Sequence, residues 1–164
     1  MQFLTSLNAR LSRWAMYIAV ASLLGITALV FYGVVMRYVF HDAPAYVEQL
    51  ALILVICVAM FAASAGVREA GHIGMDSLVV ILPAKAQFVI GIIVGILSII
   101  FGLALFLGSL QMALAVYNSI IPTLDISEAV RYTPCVIAGV LIVLFSIEHL
   151  IAMVQGKEVE PSWY

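Results

Sequence analysis

The sequence predicts an all-α integral membrane protein with four transmembrane helices and short interfacial amphipathic helices beside them. Three observations carry this. The chain has 164 residues, of which 65% are hydrophobic and only 10% charged, and its mean hydropathy is +1.20. Soluble domains are about 45–50% apolar and about 25% charged. Four apolar runs recur, at about 14–36, 46–67, 86–118 and 134–154, and a helix needs roughly 20 such residues to cross a bilayer. The scarce charges gather at the ends of the second run, from Arg37 to Glu48 before it and from Arg68 to Asp76 after it. One membrane domain over 1–164 accounts for the whole chain. The net charge of −2 gives no reason to expect nucleic acid as a partner. The two cysteines, Cys57 and Cys135, lie at or in apolar runs and do not make a disulfide framework.

Residues 1–13 place Phe3, Leu7, Leu11 and Trp14 at helical spacing, with Arg10 and Arg13 off that face. The pattern predicts a short interfacial helix leading into the membrane. The first span, 14–36, is longer than the roughly 7–15 residues of a signal-peptide core and is followed by no small-residue cleavage site. It is expected to be retained. Ser22, Gly25 and Ala28 mark a face that another helix could approach closely.

In the second span, 46–67, small residues crowd the far half, from Ala59 through Ala62, Ala63, Ser64 and Ala65 to Gly66. Lipid tails are as apolar as leucine, so helices associate in the bilayer by close packing, which small residues permit. Gly66 is expected at such a contact. The run 76–83 is too short to cross and fits a segment lying in the interface, ended by Pro83 and Lys85.

Residues 86–124 carry no charge. One helix over this run would be roughly 58 Å long, beyond any bilayer core, so tilting or projection is required. A single span ending near 118 is preferred to two, because no polar turn divides it. Gly91 and Gly95 form a G-x-x-x-G helix-packing pair. A polar connection follows, holding Asp125, Glu128 and Arg131, and Thr133–Pro134 predicts an N-cap with proline at the first helical position. The last span, 134–154, carries Glu148 and His149 in its final third.

Four spans put both termini on one side. Arg10, Arg13, Arg68, Lys85 and Lys157 share that side, against Arg37 and Arg131 on the other. The positive-inside rule then predicts cytoplasmic termini.

A carrier needs ionisable or unwound polar groups near the midplane. The spans offer none but Glu148, which lies near the end of its helix, where it could reach the interface or pair with an arginine. No metal spacing, phosphate loop or nucleophile–base motif is present. No cofactor and no enzymatic activity are expected. The chain reads as an accessory subunit. At the outer end, Arg37 and Glu48 flank a loop broken by Pro44, with Tyr38 and Tyr46 as interface anchors. At the inner end, Arg68, His72 and Asp76 are spaced by four and form a candidate hinge.

These two blocks carry a family resemblance. Arg37-Tyr38-Val39-Phe40 after the first span, Pro44 and Glu48 opening the second, and Arg68 with His72-Ile73-Gly74-Met75-Asp76-Ser77-Leu78 after it resemble the small membrane (Q) subunit of tripartite ATP-independent periplasmic (TRAP) transporters. The family often has paired Glu where Glu48-Gln49 stands here, so a second carboxylate role does not carry over to Gln49.

The resemblance implies a subunit of a sodium-coupled uptake system for an organic acid of the C4-dicarboxylate or sialic acid type, in the bacterial inner membrane. It would act as scaffold for a large membrane subunit that holds the substrate and sodium sites, and would help dock a periplasmic substrate-binding protein. Arg37, Tyr38, Tyr46, Glu48, Asp125, Glu128 and Arg131 are the candidates for that outer edge. Two alternatives remain: a small multidrug-type exporter, which needs Glu148 as a membrane carboxylate, and a redox-enzyme anchor, which needs paired histidines.

Overall fold

The computed structural model describes residues 2–42, 44–69 and 84–155. Four helices dominate: α1 Gln2–Val39, α2 Ala45–Glu69, α3 Ala84–Ala115 and α4 Thr133–Val154. Each contains a stretch long and apolar enough to cross a membrane. The chain is a multi-pass, all-α membrane protein.

The expected entrance helix is not a separate element. α1 runs unbroken for 38 residues, and no glycine or proline precedes Gly25 to interrupt it. Its face also differs from the expected one. Leu7 and Trp14 point outward, whereas Asn8, Ser12, Ala15 and Ala19 are buried. The buried face is the one whose partners lie inside the bundle: Asn8 and Ser12 bond Glu148 and Glu69, and Ala15 and Ala19 join the core, while Arg10 and Arg13 face outward with Leu7 and Trp14. α1 ends where His41 takes a left-handed φ of 54°, and the Asp42 N–H reaches back to the Met36 carbonyl at 3.1 Å.

α3 is one helix of 32 residues. At ~48 Å it outruns the ~30 Å hydrocarbon core. It stops at Ala115, short of 118, and the chain turns through a small antiparallel hairpin. Strand β1, Ile120–Ile121, pairs with β2, Ile126–Ser127. Asp125 closes the turn at φ 51°, its N–H bonded to the Ile121 carbonyl at 3.0 Å. A 3-10 turn, Glu128–Arg131, leads directly into α4. Thr133 is therefore not the N-cap. Tyr132 holds that position, and the Thr133 hydroxyl faces the Ala129 carbonyl instead.

Helix α4 is the centre. It packs on α3 along one side and α2 along the other, and α1 lies mainly against α2. The row is thus α1, α2, α4, α3. The α3–α4 contact is close at two glycines. A Cβ on Gly139 would meet the Phe106 backbone nitrogen at 2.8 Å, and one on Gly102 would meet the Gly139 carbonyl oxygen at 3.1 Å. α2 turns a stripe of Phe61, Ser64, Ala65 and Arg68 inward. Phe61 and Ala65 meet Ala15 and Ala19 of α1 and Leu141 and Phe145 of α4 in the main core. That core sits toward the end where α1 begins and where α2 and α4 finish.

Candidate functional site

The main core is capped by a cluster of buried charge. Arg68 is 2% exposed and Glu148 7%. The Arg68 Nε lies 3.4 Å from Glu148 Oε2, and its Nη1 lies 3.3 Å from Glu69 Oε1. α1 supplies two further donors. Asn8 Nδ2 donates to Glu148 Oε2 at 2.8 Å, and the Ser12 hydroxyl donates to Glu69 Oε1 at 3.1 Å. His149 Nε2 donates to the Arg68 main-chain carbonyl at 2.8 Å. Arg68 and Glu69 close α2 while Glu148 and His149 lie in the last two turns of α4, so three helix ends converge here. Buried charges persist only when paired and hydrogen-bonded, and here each charge takes donors or acceptors from two other helices or from its own neighbour. The cluster ties α1, α2 and α4 together.

This arrangement gives Arg68 a partner 80 residues away. The hinge expected with His72 and Asp76 falls at residues outside those described. Asn8, Ser12 and Glu69 were not singled out from the sequence. The signal for Asn8 and Ser12 was their spacing by four, which sets both on one face of α1 apart from Leu7 and Trp14. Glu148 is the acid the sequence marked as able to pair with an arginine, and Arg68 is that arginine.

The other end of the bundle carries a looser set. Arg37 Nη2 and Glu48 Oε1 lie 3.2 Å apart, with side chains 58% and 74% exposed. Tyr46 and Tyr32 share a hydroxyl–hydroxyl bond of 3.0 Å that joins α2 to α1. Tyr38 and Asp125 are exposed. Arg131 bonds Glu128 at 3.2 Å and also bonds the side chain of Gln49. Gln49 thus links the 3-10 turn to α2 as a neutral acceptor. The structure brings Arg37 together with Glu48, and Arg131 with Glu128, as two separate pairs.

The three candidate packing glycines differ. Gly95 approaches α4 so closely that an added Cβ would lie 2.6 Å from Leu150 Cδ2. Gly91 is buried. Gly66 has none of the described residues within 4 Å of an added Cβ. His41 and His149 lie at opposite ends of the bundle, so these two cannot ligate one haem. Among the described residues no group of three His, Cys, Asp or Glu side chains could hold a metal ion. Cys57 and Cys135 are free thiols, each half-buried.

The family described as tripartite ATP-independent periplasmic transporters, DctQ component, matches residues 26–156. Two relatives from Haemophilus influenzae, each named as a TRAP transporter small permease protein, are similar over most of their length. One is 26% identical over 133 residues, covering 79% of this chain and 81% of the relative. The other is 28% identical over 126 residues, covering 77% and 78%.

Proposed function

The chain belongs to the DctQ-component family of tripartite ATP-independent periplasmic transporters, and from this we propose that it is the structural small subunit of a sodium-coupled uptake system. It braces a large membrane subunit that carries the solute and sodium sites. The transported solute is an organic acid of the C4-dicarboxylate or sialic acid type. The protein sits in the bacterial inner membrane with both termini in the cytoplasm, which puts the hairpin end in the periplasm. There Arg37, Tyr38, Tyr46, Glu48, Asp125, Glu128 and Arg131 form an edge on which a periplasmic substrate-binding protein docks.

One observation supports this reading most. The deepest acid, Glu148, is engaged by Arg68 and Asn8 within the chain's own bundle. A carboxylate that shuttles protons in an exporter must be free to change partners, and this one joins helices instead. The outward faces of α1 and α3 supply the apolar area that a scaffold presents, with Leu24, Phe31, Phe101 and Leu114 all exposed. Such residues suit either lipid or another subunit's helices. Purification from native membranes followed by mass spectrometry tests the assignment. A large multi-span membrane protein should co-purify in equal amount, and recovery of the chain alone, without any such partner, would refute it.

A further inference from the structure

Between α1 and α2, beside the turn that joins them, the surface opens into a groove of about 270 Å³. Val30, Gly33, Val34 and Val47 line it together with Arg37 and Glu48, whose side chains are 58% and 74% exposed. The groove exists because the helices meet closely at its floor, where a Cβ on Gly33 would lie 2.9 Å from Val47 Cγ1. Its depth along the bundle is defined by the helix ends. α1 stops at Val39 and α2 starts at Ala45, so Arg37 and Glu48 lie in the last and first turns, and they bound the uncharged runs 14–36 and 49–67, which fits the change from hydrocarbon to headgroup. Tyr38 and Tyr46 lie at the same level, as interfacial aromatics do.

We propose that this groove holds one phospholipid with a phosphoethanolamine head, from the leaflet on the side of the α1–α2 turn. An acyl chain lies in the valine-walled cleft. The phosphodiester accepts from the Arg37 guanidinium, and the primary ammonium donates to the Glu48 carboxylate. The charge pattern selects this head. An anionic phosphoglycerol head satisfies Arg37 but meets repulsion from Glu48. A choline head carries no N–H and cannot donate to the carboxylate. A zwitterion with a primary ammonium complements both residues. Their mutual ion pair is more than half exposed, and such pairs are held weakly, so the partners can open to admit the head. The inference is independent of the transport role, because it requires only that α1 and α2 cross a bilayer.

Native mass spectrometry of the full-length purified chain tests it, after incubation with phosphatidylethanolamine, phosphatidylglycerol or phosphatidylcholine of matched acyl chains. The wild type should retain one phosphatidylethanolamine about fivefold better than either competitor, the size of one charge contact at a membrane surface. Glu48→Gln should abolish that preference over phosphatidylglycerol. Arg37→Gln should lower retention of all three. Val34→Trp, which fills the cleft, should remove bound lipid, whereas Leu114→Trp on the exposed face of α3 should not. Equal retention of the three lipids by the wild type would overturn the proposal. So would unchanged selectivity in Glu48→Gln, or unchanged retention in Arg37→Gln. Lipid that is present on the isolated chain but absent from the assembled complex would assign the groove to a protein helix, and would also overturn it.

Discussion

Arg68 and Glu148 form a buried ion pair across the contact of α2 and α4, with Nε 3.4 Å from Oε2, and Arg68 shares its remaining charge with Glu69. One guanidinium thus serves two carboxylates at the point where three helix ends meet.

That sharing predicts unequal costs. Arg68→Leu takes the guanidinium from two buried carboxylates and should lower stability on the order of 3–5 kcal/mol, as loss of one partner of a buried pair does. Glu148→Gln keeps an oxygen for Asn8 and Arg68 and leaves Arg68 its bond to Glu69, so it should cost about 1 kcal/mol. Thermal unfolding in detergent compares them. Equal losses would mean that the cluster is not organised around Arg68.

The α3–α4 contact makes a second prediction. Gly139→Ala places a methyl against the Phe106 backbone and the Gly102 carbonyl, neither of which can move without shifting a helix. A loss of about 1–3 kcal/mol is expected, as for overpacked cores. Gly108→Ala has open space among the described residues and should not lower the melting temperature.

Gly66 separates packing within the chain from packing between subunits. None of the described residues approaches it, so Gly66→Leu should lower the stability of the isolated protein by no more than about 0.5 kcal/mol. If this face meets the large subunit, the same variant should reduce the amount of large subunit that co-purifies. Full recovery of the complex would place Gly66 against lipid.

At the hairpin end, reversing Arg37 or Glu48 should alter stability by less than about 1 kcal/mol, because the pair is exposed. Uptake in cells should nevertheless fall in Arg37→Glu and in Glu48→Arg if the pair belongs to the docking edge. Normal uptake by both single variants would remove the pair from that edge.

The four spans were legible in the sequence because the hydrophobic runs and their charged ends are local signals. The unbroken α3 was legible too, since no polar turn divides 86–118. The cluster around Arg68 was only half legible. Glu148 stood out as the lone acid within its span, but its partner lay 80 residues away, and the i, i+4 spacing from Arg68 to His72 pointed to neighbours in sequence instead. Asn8 and Ser12 were passed over because the amphipathic pattern of 1–13 was assigned to an interface, where the apolar face is the one that buries. In the bundle the small and polar face is the one that buries, because its hydrogen-bond partners Glu148 and Glu69 lie there. The contact of Arg131 with Gln49 likewise joins two elements that no local pattern connects.

The central claim is that this chain holds a transporter together and does not itself carry solute. Reconstitution into liposomes with an inward sodium gradient tests it most directly, using this chain alone, the co-purifying large subunit alone and the two together, with the soluble binding protein and labelled solute outside. Uptake is predicted only when both membrane chains are present, and Glu148→Gln in the assembled pair should still transport. Solute accumulation by this chain alone, abolished by Glu148→Gln, would contradict the account and make it a carrier in its own right.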